Sequence, residues 1–284
     1  MIRRQLVRGS LVLLVLAAGP LDAKPSILRT EILISQFLDP YKSGMTKYDL
    51  GDIRGSVRDF TRAIESNPSN GDYWSARGIA KQALGEFEEA ISDFDVAIDI
   101  NPNEPVYYFN RANTKDESGD HLGAIEDYSH AIKLKQNDAE FYYGRAAARS
   151  SLNEFDLALK DFNMAIKLRP NEHYMYFARG VTKTNMGNHD SAISDFTRAI
   201  GRDPNNHQYY ANRGLAYESL KDYDSALIDI NQAINIAPQQ TDYIFLRSLV
   251  KAKSKDIAGA CSDWQKLKSM GVKAAAVMAG KYCS

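Results

Sequence analysis

The chain has 284 residues, of which 44% are hydrophobic and 25% charged, a composition that supports a folded protein and argues against long disordered tracts. Its formal net charge is −1, so no basic surplus points to nucleic acid. Length alone would give about two globular domains, but an internal repeat replaces that estimate with a count of units.

The first residues differ from all that follow. Arg3, Arg4 and Arg8 form a basic front, Ser10 to Ala18 is an apolar run, and Leu21-Asp22-Ala23 ends on the small residue that signal peptidase requires. The run is too short to cross ~30 Å of hydrocarbon. Residues 1–23 are therefore expected to be a cleaved signal peptide, and the chain to be exported to the periplasm or outside the cell with no stable membrane span. Arg3 to Arg8 loosely resembles a twin-arginine export signal, and no cysteine follows the run to carry a lipid anchor. Cleavage removes three arginines and one aspartate, two net positive charges, taking the mature chain from −1 to −3. Ile27, Leu28, Ile32, Leu33 and Phe37 then recur at helical spacing. Residues 24–36 are expected to form a helix covering the first unit.

From there a plan repeats every 34 residues, clearest in 71–104: Trp74, Gly78, Gly85, Ala90, Phe94, Ala97 and Pro102. Unit 37–70 keeps Ser56, Phe60, Ala63 and Pro68 but opens irregularly at Asp39-Pro40, which suits a helix start. Unit 105–138 keeps Ala124, Tyr128 and Ala131 and has Gln136 in place of proline. Units 139–172, 173–206 and 207–240 carry Tyr142, Ala158, Phe162 and Pro170; Tyr176, Gly180, Phe196 and Pro204; and Tyr210, Gly214, Ile230 and Pro238. Residues 241–284 hold a degenerate seventh unit with Ala260 and Trp264, followed by a last helix. A fixed period with small and aromatic residues in set places predicts a solenoid of helical hairpins. Small residues let two helices approach, aromatics fill the space between hairpins, and Gly51, Gly85, Gly119, Asn153 and Gly187 stand where a helix ends left-handed. Lys221 and Lys255 occupy that place in the last two units, so those turns are expected to be less ideal.

These residues resemble the tetratricopeptide repeat, over roughly residues 37–268. The resemblance implies an all-α, right-handed superhelix whose inner wall, made by the first helix of each hairpin, holds another molecule. Carried onto this chain, the inner places hold Phe109, Asn110, Asn113 and Asp116; Tyr143 and Ser150; Phe177, Val181 and Asn185; Asn212, Leu215 and Glu218; and Phe245 and Leu249. Asp72, Glu117, Glu140 and Asp242 add acids against Lys253 alone. Amides can bond an extended backbone and aromatics can anchor side chains, so the expected partner is a protein or peptide segment, neutral to basic. Some family members clamp a terminal carboxylate with lysine; here Phe109 and Tyr143 stand where that lysine would be needed. The second reading of the aromatic lining is a glycan or polymer laid along the groove.

A charge pair also follows the period. Arg77, Arg111, Arg145, Arg179, Arg213 and Arg247 recur beside Asp59, Asp93, Asp127, Asp161, Asp195, Asp229 and Asp263. Arginines gripping an anion would be one use; matched counts favour an internal ladder in which each arginine meets an aspartate. His121, His130, His173, His189 and His207 share no reproducible spacing with an acid and a nucleophile. No phosphate loop, nucleophile elbow or zinc-protease motif occurs, so neither catalysis nor a cofactor is expected. Cys261 and Cys283, the only cysteines, lie at similar distances from Gly271, a helix stop. Export would favour a disulfide stapling the last helix; a reducing compartment would leave two buried thiols. Two cysteines with no histidine nearby cannot fill a zinc shell.

Overall fold

The computed structural model describes residues 39–283, so the expected leader (1–23) and covering helix (24–36) lie outside the described residues. Each 34-residue unit forms two antiparallel helices. These are α1 (Pro40–Asp49) and α2 (Ile53–Ser66), α3 (Gly71–Ala83) and α4 (Phe87–Ile100), and α5 (Pro105–Glu117) and α6 (His121–Leu134). Next come α7 (Ala139–Ser151) and α8 (Phe155–Leu168), α9 (His173–Asn185) and α10 (His189–Ile200), and α11 (His207–Ser219) and α12 (Tyr223–Ile236). The last pair, α13 (Thr241–Lys253) and α14 (Ile257–Ser269), is followed by a single helix, α15 (Lys273–Tyr282). The described residues contain no strand, and every helix packs chiefly on its neighbours in sequence, giving an all-α repeat solenoid.

Local chemistry sets the helix ends. Asn70, Asp138 and Asn206 accept from the first-turn amides of α3, α7 and α11, while Asp52, Asp120, Asp222 and Asp256 do the same for α2, α6, α12 and α14. The turn inside each hairpin needs one left-handed residue. Gly85 and Gly187 supply it at φ 77°, and Asn153, Lys221 and Lys255 adopt the same conformation at 61°, 63° and 71°. The two lysine turns therefore keep the glycine geometry, at the steric cost of a Cβ. The second helices end at equivalent residues with or without proline, since α6 stops at Leu134 ahead of Gln136. Two stop early, α10 by two residues at Ile200, where Gly201 follows, and α14 by one at Ser269.

The core is a column of small and aromatic side chains. Ala90, Ala124, Ala158, Ala192 and Ala226 are fully buried, as are Phe94, Phe162 and Phe196 to within 1%. Burying each such aromatic contributes about 2–3 kcal/mol. At the C-terminal end Ile244, Ala260, Trp264 and Leu267 pack against Ala275 and Ala279 of α15. A disulfide joins Cys261 of α14 to Cys283 just past α15, with Cα atoms 5.6 Å apart.

Candidate partner-binding groove

The stack is curved, and the packing shows which way. The first helices of successive hairpins approach one another directly, from α1 with α3 through α9 with α11, whereas the second helices do not do so to the same extent. First helices therefore line the inner side and second helices splay outward. Phe109, Tyr143, Phe177 and Phe245 lie on the first helices α5, α7, α9 and α13.

Those aromatics do two things at once. Phe109 packs on Tyr128 of its own hairpin at 5.9 Å and on Phe141 of the next at 5.1 Å. Tyr143 meets Phe162 at 5.9 Å and Tyr174 at 5.1 Å; Phe177 meets Phe196 at 5.8 Å and Tyr209 at 4.8 Å. Phe245 lies against the Trp264 cluster. All four are half-buried, and the first three pack across the seam between hairpins.

Most polar residues of the wall also have partners within the protein. Asn110 donates to Ser75 Oγ across a seam at 3.3 Å, and Ser150 shares a hydrogen bond with Thr182 at 2.6 Å. Asn113 accepts from the Tyr128 hydroxyl at 2.6 Å, Asp116 lies 2.7 Å from His121 Nδ1, and Asn212 donates to the Gln208 carbonyl at 2.8 Å. Glu218 holds Lys253 of the following hairpin. Glu140 is buried, accepting from Arg169 and from the Tyr174 hydroxyl, whose pKa rises through burial and through this carboxylate. Open to solvent are Asn185 and Leu215, with Val181 and Leu249 half-buried beside them. Asp72, Glu117 and Asp242 are exposed, Asp72 accepting from the Tyr107 hydroxyl and Glu117 from the Gln82 amide.

The charged row faces the other way. Arg77, Arg111, Arg145, Arg179, Arg213 and Arg247 each donate through Nε and Nη2 to the two oxygens of the aspartate sixteen residues on, Asp93 through Asp263, at 2.6–2.9 Å. Asp59, with Ser43 in the arginine place, pairs with Lys47 instead. The remaining nitrogen, Nη1, reaches the second helix of the preceding hairpin: Thr61, Asp95, Ser129, Asn163, Thr197 or Asn231. A first-helix side chain that touches second helices on both sides points outward, away from the groove. The guanidiniums of Arg77, Arg111, Arg145, Arg179 and Arg213 also lie over Trp74, Tyr108, Tyr142, Tyr176 and Tyr210.

A second cation joins most clusters and is not among the sequence-derived site residues. Lys81, Lys115, Arg149, Lys183 and Lys251 reach the same aspartates at 2.6–2.9 Å. Their own 34-residue recurrence is the signal that finds them. Tyr217 replaces that cation in one unit, leaving Asp229 with Arg213 alone. The shallow depression lined by Tyr108, Arg111, Lys115, Asp127 and His130 opens over one such cluster, whose charges are already matched. Among the described residues no group of His, Cys, Asp and Glu could hold a metal ion, and no helix is long and apolar enough to cross a membrane.

Family models described as tetratricopeptide repeat match residues 41–105, 105–138, 139–172 and 177–241. A search of the curated proteins finds no match. Among solved structures the chain is similar to YrrB, a TPR protein with an unusual peptide-binding site. That likeness has 22% identity over 69% of this chain and 97% of that one, with a TM-score of 0.55. It is similar to MamA at 26% identity, over 58% and 97% of the two chains, with a TM-score of 0.54. It is similar also to a tetratricopeptide repeat protein from Parabacteroides merdae, at 19% identity over 86% and 98% and a TM-score of 0.64.

Proposed function

Because the chain belongs to the tetratricopeptide repeat family, we propose that it is a non-catalytic scaffold or assembly factor that holds a neutral to basic segment of a partner protein along its inner wall. The observation that carries this reading is the curvature: first helices gather on one side, and exposed Leu215, Asp72, Glu117 and Asp242 all stand on first helices. A segment lying across Leu215, Val181 and Leu249 would cover exposed apolar surface, and exposed Asp72, Glu117 and Asp242 would favour cations in it. The wall is already held by its own hydrogen bonds across the seams, so little ordering would accompany binding. A solved protein of the same fold has a peptide-binding site. The Cys261–Cys283 disulfide supports placing the work in an oxidising, exported compartment.

The test uses open positions, because alanine at Phe109, Tyr143 or Phe177 would also loosen the core. Leu215→Arg with Asn185→Arg puts two cations into the groove at exposed sites. Full-length parent and variant are immobilised, an extract of the native envelope is passed over both, and retained proteins are identified by mass. Loss of a defined partner from the variant, with an unchanged helical spectrum, is the expected result. An identical retained set on both columns overturns the groove reading. Retention on polysaccharide beads in place of any protein would move it to a glycan.

A further inference from the structure

The last helix is joined to the stack differently from the first helices before it. At seams between hairpins the arriving helix brings the bulk: Tyr107 and Phe141 pack with Ala97 and Ala131, and Met175 and Tyr209 with Ala165 and Ala199. At α15 the sizes are reversed. Trp264 and Leu267 of α14 are the large residues, and α15 buries only Ala275 and Ala279, with Val272 and Met278 partly buried beside them. Alanine has little apolar area to hide, so α15 contributes little of its own to the docking. The arginine tie is missing as well. Lys281 stands 34 residues after Arg247, and its ammonium lies over the ring of Tyr282 on its own helix. Where Arg247 bonds Asp263 and Asn231, Lys281 bonds neither kind of partner among the described residues.

Nor is α15 a strong helix in itself. It has 10 residues, short of the length at which a free helix persists in water. No side chain caps its first turn, and its first residue is Lys273, where the macrodipole opposes a cation. Gly280 lies inside it and weakens it further, although open space surrounds the position a Cβ would take there. What remains to hold α15 is the contact of the Tyr282 ring with Trp264, at 5.9 Å, and the covalent bond from Cys261 to Cys283 just past its end.

Cys261 and Cys283 are each partly exposed, within reach of a thiolate from outside. We propose that the pair is a redox latch: α15 is docked while the disulfide is closed and leaves the stack when it opens, uncovering Trp264 and Leu267. Closing the latch takes two electrons and two protons from the Cys261 and Cys283 thiols, and these convert a disulfide of the oxidant into a dithiol. Opening reverses the exchange. A thiolate of the reductant attacks one sulfur and expels the other as thiolate, and the reductant's second thiolate resolves the mixed disulfide. The partner in either direction is a dithiol–disulfide reagent or oxidoreductase. Trp264 and Leu267 are no more than 1% exposed with α15 in place, and a solenoid needs its terminal unit covered. The stack is therefore finished only after oxidation, and the latch is independent of whatever the groove holds.

The test is hydrogen exchange, resolved by peptide and mass, on the full chain in three forms: the disulfide, the dithiol after reduction by a phosphine, and Cys261→Ser/Cys283→Ser. Amides of α15 are expected to exchange at least about tenfold faster in the dithiol and in the serine variant than in the disulfide form. Those of α5 to α10 should keep their protection. In a Trp74→Phe background Trp264 is the only tryptophan. Its emission should move to longer wavelength on reduction and return when oxidised glutathione closes the bond. Equal protection of α15 in all three forms, or an unmoved emission, overturns the proposal, because the apolar contacts would then hold the helix unaided. So does a loss of protection spread evenly over all the helices, which would make the bond a support of the whole stack.

Discussion

In most hairpins one buried carboxylate faces two cations, and the balance is asymmetric in its consequences. Removing the carboxylate leaves Arg179 and Lys183 near each other in a site where they are 12% and 16% exposed. Asp195→Asn is therefore expected to cost about 3 kcal/mol in urea unfolding. Asp229→Asn should cost less, because Tyr217 stands where a second cation would be stranded; equal costs would show that the second cation has no role. Acid should act on the same groups. Burial raises the Asp263 carboxyl, but hydrogen bonds from Arg247 and Lys251 outweigh it and hold its pKa below the ordinary carboxylate value; Lys47 and Ser43 do the same for buried Asp59. A depressed folded pKa gives stability that is complete above the unfolded value, near pH 4, and is lost as pH falls through the folded one. The melting temperature is expected to hold down to about pH 4 and then drop, less steeply in Asp263→Asn, which has nothing there to protonate. The arginine and aspartate rows are legible in the sequence because identical residues recur every 34 positions, and the lysine row can be read the same way. The third acceptor cannot, since Thr61, Asp95, Ser129 and Asn163 share only the ability to accept a hydrogen bond.

At the scale of helices, spacing in the sequence translates directly into structure, and the exceptions have local causes. Periodic apolar residues place every described helix, and the left-handed turn residues mark where the first helices stop. Proline is a poorer guide to the ends of second helices: α6 ends in register without one, and α10 ends two residues early at Gly201 despite Pro204. Small residues are more demanding than their helical setting implies. In an exposed helix Gly→Ala gains about 1 kcal/mol. At Gly180 a Cβ would lie 2.7 Å from Phe196 Cε1, and that ring is fully buried and pinned against Phe177. Gly180→Ala is thus expected to lose about 1–3 kcal/mol, measured by the urea midpoint at unchanged slope. A gain would mean the ring can move aside and that close approach of α9 and α10 does not require glycine. Ala146 occupies the same place against Phe162 in another hairpin, so the spacing between paired helices is set unit by unit.

Among the described residues each hairpin packs chiefly on its immediate neighbours, so cooperativity comes chiefly from the seams. This is also why the groove was only partly legible: which inner side chains stay open depends on how each hairpin leans on the next. Spacing places Phe109 and Tyr143 on the inner wall, but their half-burial follows from Phe141 and Tyr174 of the neighbouring units. The arginine Nη1 contacts are the polar contacts that recur at every seam, and they can be removed without disturbing the pairing inside a hairpin. Ser129→Ala, Asn163→Ala and Thr197→Ala together take acceptors from Arg145, Arg179 and Arg213 while leaving their bonds to Asp161, Asp195 and Asp229. Each lost bond should cost about 1 kcal/mol, confined to three consecutive seams. In a chain of units coupled only to neighbours, weaker seams let the two ends unfold separately, so the urea transition should broaden or divide as well as shift. Hydrogen exchange should then quicken in α5 to α12 more than in α13 to α15, where the disulfide and the Trp264 cluster are untouched. A transition that moves to lower urea with its steepness unchanged would show that apolar contacts alone, Phe109 with Phe141 and Phe177 with Tyr209 among them, hold the units together as one.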